Sequence, residues 1–157
     1  MNNAAHIEPS SLIEPDCRIG AGTRIWHLCH LRRGAVIGRD CVLGRNVYVE
    51  AGAVIGNEVH IQNNVSVYAG VQLHDAVFVG PSVVFTNDKW PRAGNADWTI
   101  IPTIVEAGAS IGAGAVIVCG VRIGAHAMIG AGAVVRRNVR PDEIYTEYGR
   151  GPERIVT

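Results

Sequence analysis

Large apolar side chains recur at every sixth position of this chain, beginning at Ile7 and running through Ile13, Ile19, Ile25, Leu31, Ile37, Leu43, Val49, Ile55, Ile61, Val67, Leu73 and Val79 to Phe85. The register does not slip over that span. It resumes at Val105 and continues through Ile111, Ile117, Ile123 and Ile129 to Val135. Four residues after each large position stands a small or β-branched residue, as in Cys17, Thr23, Cys29, Ala35, Cys41 and Val47. On an α-helix six residues advance about 600°, so successive large residues would point three ways and no single face would be buried. On a strand, by contrast, the small residue and the large one two places later share a face. Glycine often follows the large residue (Gly20, Gly38, Gly44, Gly56, Gly80), where it is expected to supply unusual corner dihedrals. The pattern therefore predicts very short strands separated by corners. Three hexads close a triangular coil of 18 residues, and the coils stack as parallel strands about 4.8 Å apart. β-Branched residues suit such strands. A single all-β domain over residues 1–157 follows, with repeats over 7–85 and 105–135. The tail 136–157 is expected to be the cap that a solenoid end requires.

The repeat breaks once, between Phe85 and Ile104, and predicts a loop extruded over about 86–103 or 104. Its sequence, TNDKWPRAGNADWTIIPT, holds the only lysine, Lys89, and two of the three tryptophans. A long irregular loop in a regular solenoid is usually functional. The bland alternative is an arm packing Trp90, Trp98 and Ile101 on a neighbouring copy. Residues 18 apart should form columns. Tyr48, Ser66 and Val84 then stack over His30, while His27, Arg45 and Asn63 share a corner beside Asn46, Asn64 and Ser82. The segments 24–30 and 61–68 are accordingly expected to flank the base of the loop.

Composition narrows the function. Apolar residues are 48% and charged residues 18% of 157, which excludes a disordered chain. Fourteen basic residues balance fourteen acidic ones, which argues against a nucleic-acid partner or a polybasic membrane anchor. No apolar run is long enough to span a bilayer, and MNNAAHIEPS has no basic region followed by an apolar core, so a cytoplasmic location is expected. Cys17, Cys29 and Cys41 fall at inward positions and read as small hydrophobes, whereas Cys119 falls at a corner open to exposure. No Cys-x-x-Cys or His-x4-His spacing occurs, so no metal site is expected, including the three-histidine zinc centre of a carbonic anhydrase.

The repeat, a branched apolar residue followed by Gly-x-x-small-x, resembles the hexapeptide repeat of the left-handed parallel β-helix acyltransferases over residues 7–135. The left hand is implied by that resemblance. Within the superfamily, RIWHLCHL, IQNNVSVY, VFVGPSVVFTNDKWPR and the PT before IGAGAVIVCGVRIG are similar to the nucleotide-linked 3-amino-sugar N-acetyltransferases. Phe85-Thr86-Asn87 followed by Pro91-Arg92 is the most specific match, while the tail EIYTEYGRGPERIV departs from the family's usual ending. The resemblance implies cytoplasmic homotrimers with active sites between subunits. It also implies acetyl-CoA as co-substrate and a UDP- or dTDP-linked amino sugar, used for bacterial surface polysaccharide, as acceptor.

Acetyl transfer to an amine needs alignment, donors for the oxyanion and an acceptor for the amine's proton. Asn87 is the first candidate, with His27 and His30 as polar contacts or bases because imidazole titrates near neutral pH. His6 is terminal, His60 and His74 lie on other columns, and His126 occupies a later corner. Asn63, Asn64, Tyr68, Asp88, Lys89 and Arg92 are candidate substrate contacts, the cations for a carboxylate or phosphate. Gly112, Ala113, Gly130 and Ala131 offer a corner nearly free of side chains for a pantetheine arm, with Arg136 and Arg137 for CoA phosphates. Another amine or hydroxyl acceptor and a non-catalytic solenoid scaffold remain as alternatives.

Overall fold

A computed structural model describes residues 4–146 and the backbone of 149–150. The described chain is all β and contains no helix. Strands of two or three residues form three parallel sheets, one on each side of a triangular coil. The first sheet begins at His6–Ile7, the second at Leu12–Ile13 and the third at Arg18–Ile19. Register is set by the repeat: Ile7 pairs with Ile25, Ile25 with Leu43 and Leu43 with Ile61, always 18 positions on. This is the coil the sequence predicts. The inward large residues from Ile25 to Val135 are almost wholly buried, with Phe85 the bulkiest. Each contributes about 1.5–3 kcal/mol through burial, offset largely by the entropy of ordering the chain.

Corner chemistry divides differently from the expectation. The glycine that follows each large residue is not the one that takes the unusual dihedral. Residues in the left-handed region fall two places later, at Asp16, Leu28, Asp40, Asn46, Glu58, Asn64, Ala76 and Ser82 as well as at Gly22, Gly34 and Gly52. Gly38 is needed instead for approach: a Cβ there would lie 2.4 Å from the Gly56 carbonyl oxygen of the next coil.

The insertion lies at the corner between the second and third sheets. Gln72 pairs with Ile104, 32 positions on, after which the 18-residue spacing returns with Ile104 paired to Arg122. Thr103, expected inside the loop, is the first residue of strand Thr103–Val105 and is buried. The loop proper is therefore 86–102. At the far end the spacing shortens to 16: Met128 pairs with Ile144 and Ile123 bridges Val139. Tyr145 closes this last turn, packing on the core while its hydroxyl donates to the Val134 carbonyl at 2.9 Å. The remainder of the expected cap, 147–148 and 151–157, lies outside the described residues.

Candidate active site

The loop is stapled to the coil at both ends. Thr86 Oγ1 accepts the Cys119 backbone N–H at 2.9 Å, and Thr103 Oγ1 accepts that of Gly120 at 3.2 Å. Ile100 and Ile101 lay methyl groups over Gly70 and Gly120, both at φ +86, where a side chain would collide. Cys119, whose corner position left exposure open, is 1% exposed, and its backbone is tied to the loop base. Cys29 and Cys41 are buried as expected, and burial pushes both thiols up. Cys17 is only half-buried.

Asn87 stands at the first turn of the loop. Its carbonyl accepts the Trp98 indole N–H at 3.0 Å across eleven residues, while its side-chain amide makes no hydrogen bond among the described residues. Asp88 is committed locally, with Oδ1 accepting the Trp90 N–H at 2.8 Å. Lys89 and Arg92 are exposed, and Arg92 reaches only the Pro91 carbonyl.

One column of the second sheet runs His30, Tyr48, Ser66, Val84, as the spacing predicts. The adjoining corner column is Glu14, Arg32, Glu50, Tyr68 and Thr86. Across these two columns a polar network forms. Glu14 Oε1 lies 2.8 Å from both His30 Nε2 and Arg32 Nε, and its other oxygen accepts the Arg33 N–H at 2.9 Å. Arg32 Nε is an ion-pair neighbour that makes no directed hydrogen bond. Arg32 Nη1 donates to the Tyr48 hydroxyl, which donates to Glu50 Oε1 at 3.0 Å. Tyr48 sets its ring edge to face against His30 and Tyr68, with centroids 5.6 and 6.2 Å apart. The His30 contact, then the Arg33 N–H and the Arg32 charge, holds the Glu14 carboxyl below its usual range, and burial raises the Tyr48 phenol. Sequence reasoning missed Glu14, Arg32 and Glu50, although their alternating charge at a spacing of 18 was there to read.

A carboxyl held low in the folded state contributes stability above its unfolded pKa and loses it as pH falls through the folded value. Stability should therefore decline as pH drops below about 4.3, the ordinary glutamate value. Glu14→Gln should lower stability at neutral pH and flatten that acid limb, read from the denaturation midpoint against pH. An unchanged slope would show that Glu14 is not one of the groups responsible.

Within one chain the structure brings Tyr68 beside the loop base but not His27 or His30. Both histidines belong to a coil three steps earlier, roughly 14 Å along the axis at the spacing of stacked strands. The expectation that segment 24–30 flanks the loop base therefore fails inside a single chain. His27 also lies at the corner between the first and second sheets, away from the corner where the loop leaves. There Asn63 and Asn64 serve the stack itself: Asn63 Oδ1 accepts the Arg45 N–H at 2.8 Å, and Asn64 Oδ1 accepts the Asn46 side-chain N–H at 3.1 Å.

The small-residue corner also separates into parts. The bare side of Gly112 faces the following coil, so it serves packing, whereas Gly130 is half-buried and Ala113 and Ala131 are exposed beside Gly114 and Gly132. Arg137 is occupied, pairing with Glu143 at 2.7 Å and lying over the Tyr145 ring at 4.9 Å. Arg136 is exposed and makes no ion pair among the described residues. No group of three His, Cys, Asp or Glu side chains among the described residues is placed to hold a metal.

The six-residue period of this coil is also what a family model recognises. The "Bacterial transferase hexapeptide (six repeats)" model matches residues 16–51, 52–87 and 102–137, and the chain belongs to that family. The hexapeptide repeat of succinyl-transferase also matches, over 34–69. Among curated proteins, the acyl-[acyl-carrier-protein]--UDP-N-acetylglucosamine O-acyltransferase of Brucella ovis is 40% identical over 43 residues. The match covers 27% of this chain and 16% of that protein, so the chain spans only a small part of the curated relative's length.

Solved structures share the fold at low identity. The acetyltransferase domain of PglB from Neisseria gonorrhoeae, in complex with acetyl coenzyme A, is 19% identical with a TM-score of 0.60, covering 96% of this chain and 58% of that one. PerB from Caulobacter crescentus, in complex with CoA and GDP-perosamine, is 21% identical with a TM-score of 0.52, covering 96% and 57%. A point mutant of AntD, an N-acyltransferase from Bacillus cereus in complex with dTDP and coenzyme A, is 18% identical with a TM-score of 0.53, covering 89% and 74%.

Proposed function

We propose that this chain is an acetyl-CoA-dependent N-acetyltransferase acting on the 3-amino group of a UDP- or dTDP-linked amino sugar in bacterial polysaccharide or glycoconjugate biosynthesis. The observation that carries the reading is the unpartnered Asn87 amide on a stapled loop, within the Phe-Thr-Asn and Pro-Arg phrase, on a hexapeptide-transferase coil. Three structures with this fold are named for amino-sugar or N-acyl transfer, or bind acetyl coenzyme A, and support the same reading.

In this reaction the neutral sugar amine attacks the thioester carbonyl. The C–N bond forms, the C–S bond breaks, and the proton shed by nitrogen balances the departing thiolate. The Asn87 amide donates to the developing oxyanion or orients the amine. Lys89 and Arg92 meet the acceptor's phosphate or carboxylate, with Asp88 setting the turn that presents them. The exposed edge at Ala113 and Ala131 accommodates the pantetheine arm, and Arg136 is the cation free for a CoA phosphate. Gly112 lets the coils beneath that edge close, Gly130 adds to the bare surface there, and Arg137 holds the last turn. The working unit is a homotrimer in the cytoplasm, in which the loop of one copy, with Tyr68 at its base, meets the His27 to His30 stretch and the Asn63 and Asn64 corner of the next. That arrangement would close the separation that one chain leaves open.

The test is continuous thiol release from acetyl-CoA with UDP- and dTDP-linked 3-amino sugars, using hydroxyl-only sugars as controls. Release with an amino sugar alone is expected. Release with the hydroxyl controls would move the acceptor class toward that of the Brucella O-acyltransferase, and failure to bind CoA would favour a scaffold.

A further inference from the structure

Beyond the Thr86 staple, the position of Asn87 depends on the loop itself. The last ladder bond before the loop is Thr86 N–H to Ile117 O, and the next is Thr103 N–H to Gly70 O. Between them the chain is held by bonds within the loop and by the two isoleucines docked on Gly70 and Gly120. The single bond that ties Asn87 to the docked arm is the one from the Trp98 indole N–H to the Asn87 carbonyl, 3.0 Å long. Trp98 stands two residues before Ile100. It is 42% exposed, and its ring belongs to no buried cluster. A large ring so placed is poorly accounted for by core burial, whereas its one polar atom is fully used. The indole carries a donor and no acceptor, so this bond has one possible sense.

We infer that Trp98 is the positioning residue of the active-site loop: its indole N–H fixes the backbone of Asn87, leaving the Asn87 side-chain amide aimed at the ligand and free of any competing bond. This inference rests on the proposed acetyl-transfer reading for its effect on rate, but the bond itself can be tested without activity. The chemistry of acyl transfer makes the placement matter, because a displacement of about 1 Å at an aligned group can cost on the order of 100-fold in rate.

Four measurements test it. In the intact chain, the indole N–H resonance of Trp98 should exchange with solvent more slowly than those of Trp26 and Trp90; exchange as fast as Trp90, which is 72% exposed, would overturn the bond. Trp98→Phe keeps an aromatic ring and removes the donor. It should lower kcat for acetyl transfer about tenfold or more, with the melting temperature and the KM for acetyl-CoA little changed. Replacing Trp98 with its benzothienyl analogue, which differs only in lacking the N–H, should reproduce that loss. Finally, Trp98→Phe should cost nothing further in an Asn87→Ala background, since it acts through Asn87. An equal loss in both backgrounds would overturn the inference. If Asn87→Ala lowers the rate and Trp98→Phe does not, the positioning role falls while the catalytic reading stands. If Asn87→Ala retains full activity, both fall.

Discussion

Asn87→Ala is expected to lower kcat for acetyl transfer by about 100- to 1,000-fold, the usual loss when one preorganised oxyanion donor is removed. The physical basis is the separation of duties at this residue. Its backbone is engaged by Trp98, and its side chain makes no bond among the described residues. Truncation to alanine therefore removes no internal hydrogen bond, and Asn87 is not part of the buried core. Folding and assembly should be untouched, so the loss should appear in kcat with the melting temperature within a degree or so of the parent protein. Asn87→Asp tests the sign of the interaction, because a carboxylate offers no donor and repels an oxyanion; it should be no better than alanine. A folded Asn87→Ala protein with parental kcat would remove Asn87 from the chemistry.

The second large effect is on stability. Gly38→Ala should destabilise the coil by about 3 kcal/mol, the upper range for forcing extra volume into a packed interior. The added Cβ would sit 2.4 Å from the carbonyl oxygen and 2.5 Å from the carbonyl carbon of Gly56. Both are backbone atoms tied into the stacking ladder, with Gly38 N–H donating to Ile55 O and Gly56 N–H to Leu73 O. No side-chain rotation can relieve the contact. Gly52 provides the control. It sits at φ +71 with nothing within 4 Å of a would-be Cβ, so Gly52→Asn, matching Asn46 and Asn64 at equivalent corners, should be nearly neutral. Denaturant midpoints of the two variants distinguish the causes. Equal losses would mean that dihedral preference, rather than coil-to-coil approach, governs glycine in this repeat.

That contrast shows where sequence reading succeeds and where it stops. The six-residue period identified the large inward residues of the repeat from Ile25 to Val135 and the column His30, Tyr48, Ser66, Val84, because a strand alternates faces and three hexads close one coil. It also located the single break in the repeat. It misassigned the job of the glycines, since the distance between two coils is not a property of either coil's sequence. It left the exposure of Cys119 open, because local position alone cannot show that a loop from 33 residues earlier lies across that corner. It placed His27 and His30 beside the loop, although the column itself counts three coils from His30 to Val84.

Periodicity, a local and repeated property, was thus enough to determine the backbone path, the buried face and the site of the extrusion. Contacts between segments far apart in the chain were decided only in three dimensions: the threonine staples, the Trp98 bond to Asn87, the Glu14–His30–Arg32–Tyr48–Glu50 network and the covering of Cys119. Each depends on side-chain directions that the repeat leaves free. The loop departs from the repeat, so no period constrains it; its conformation comes from where its two isoleucines find bare glycine to rest on.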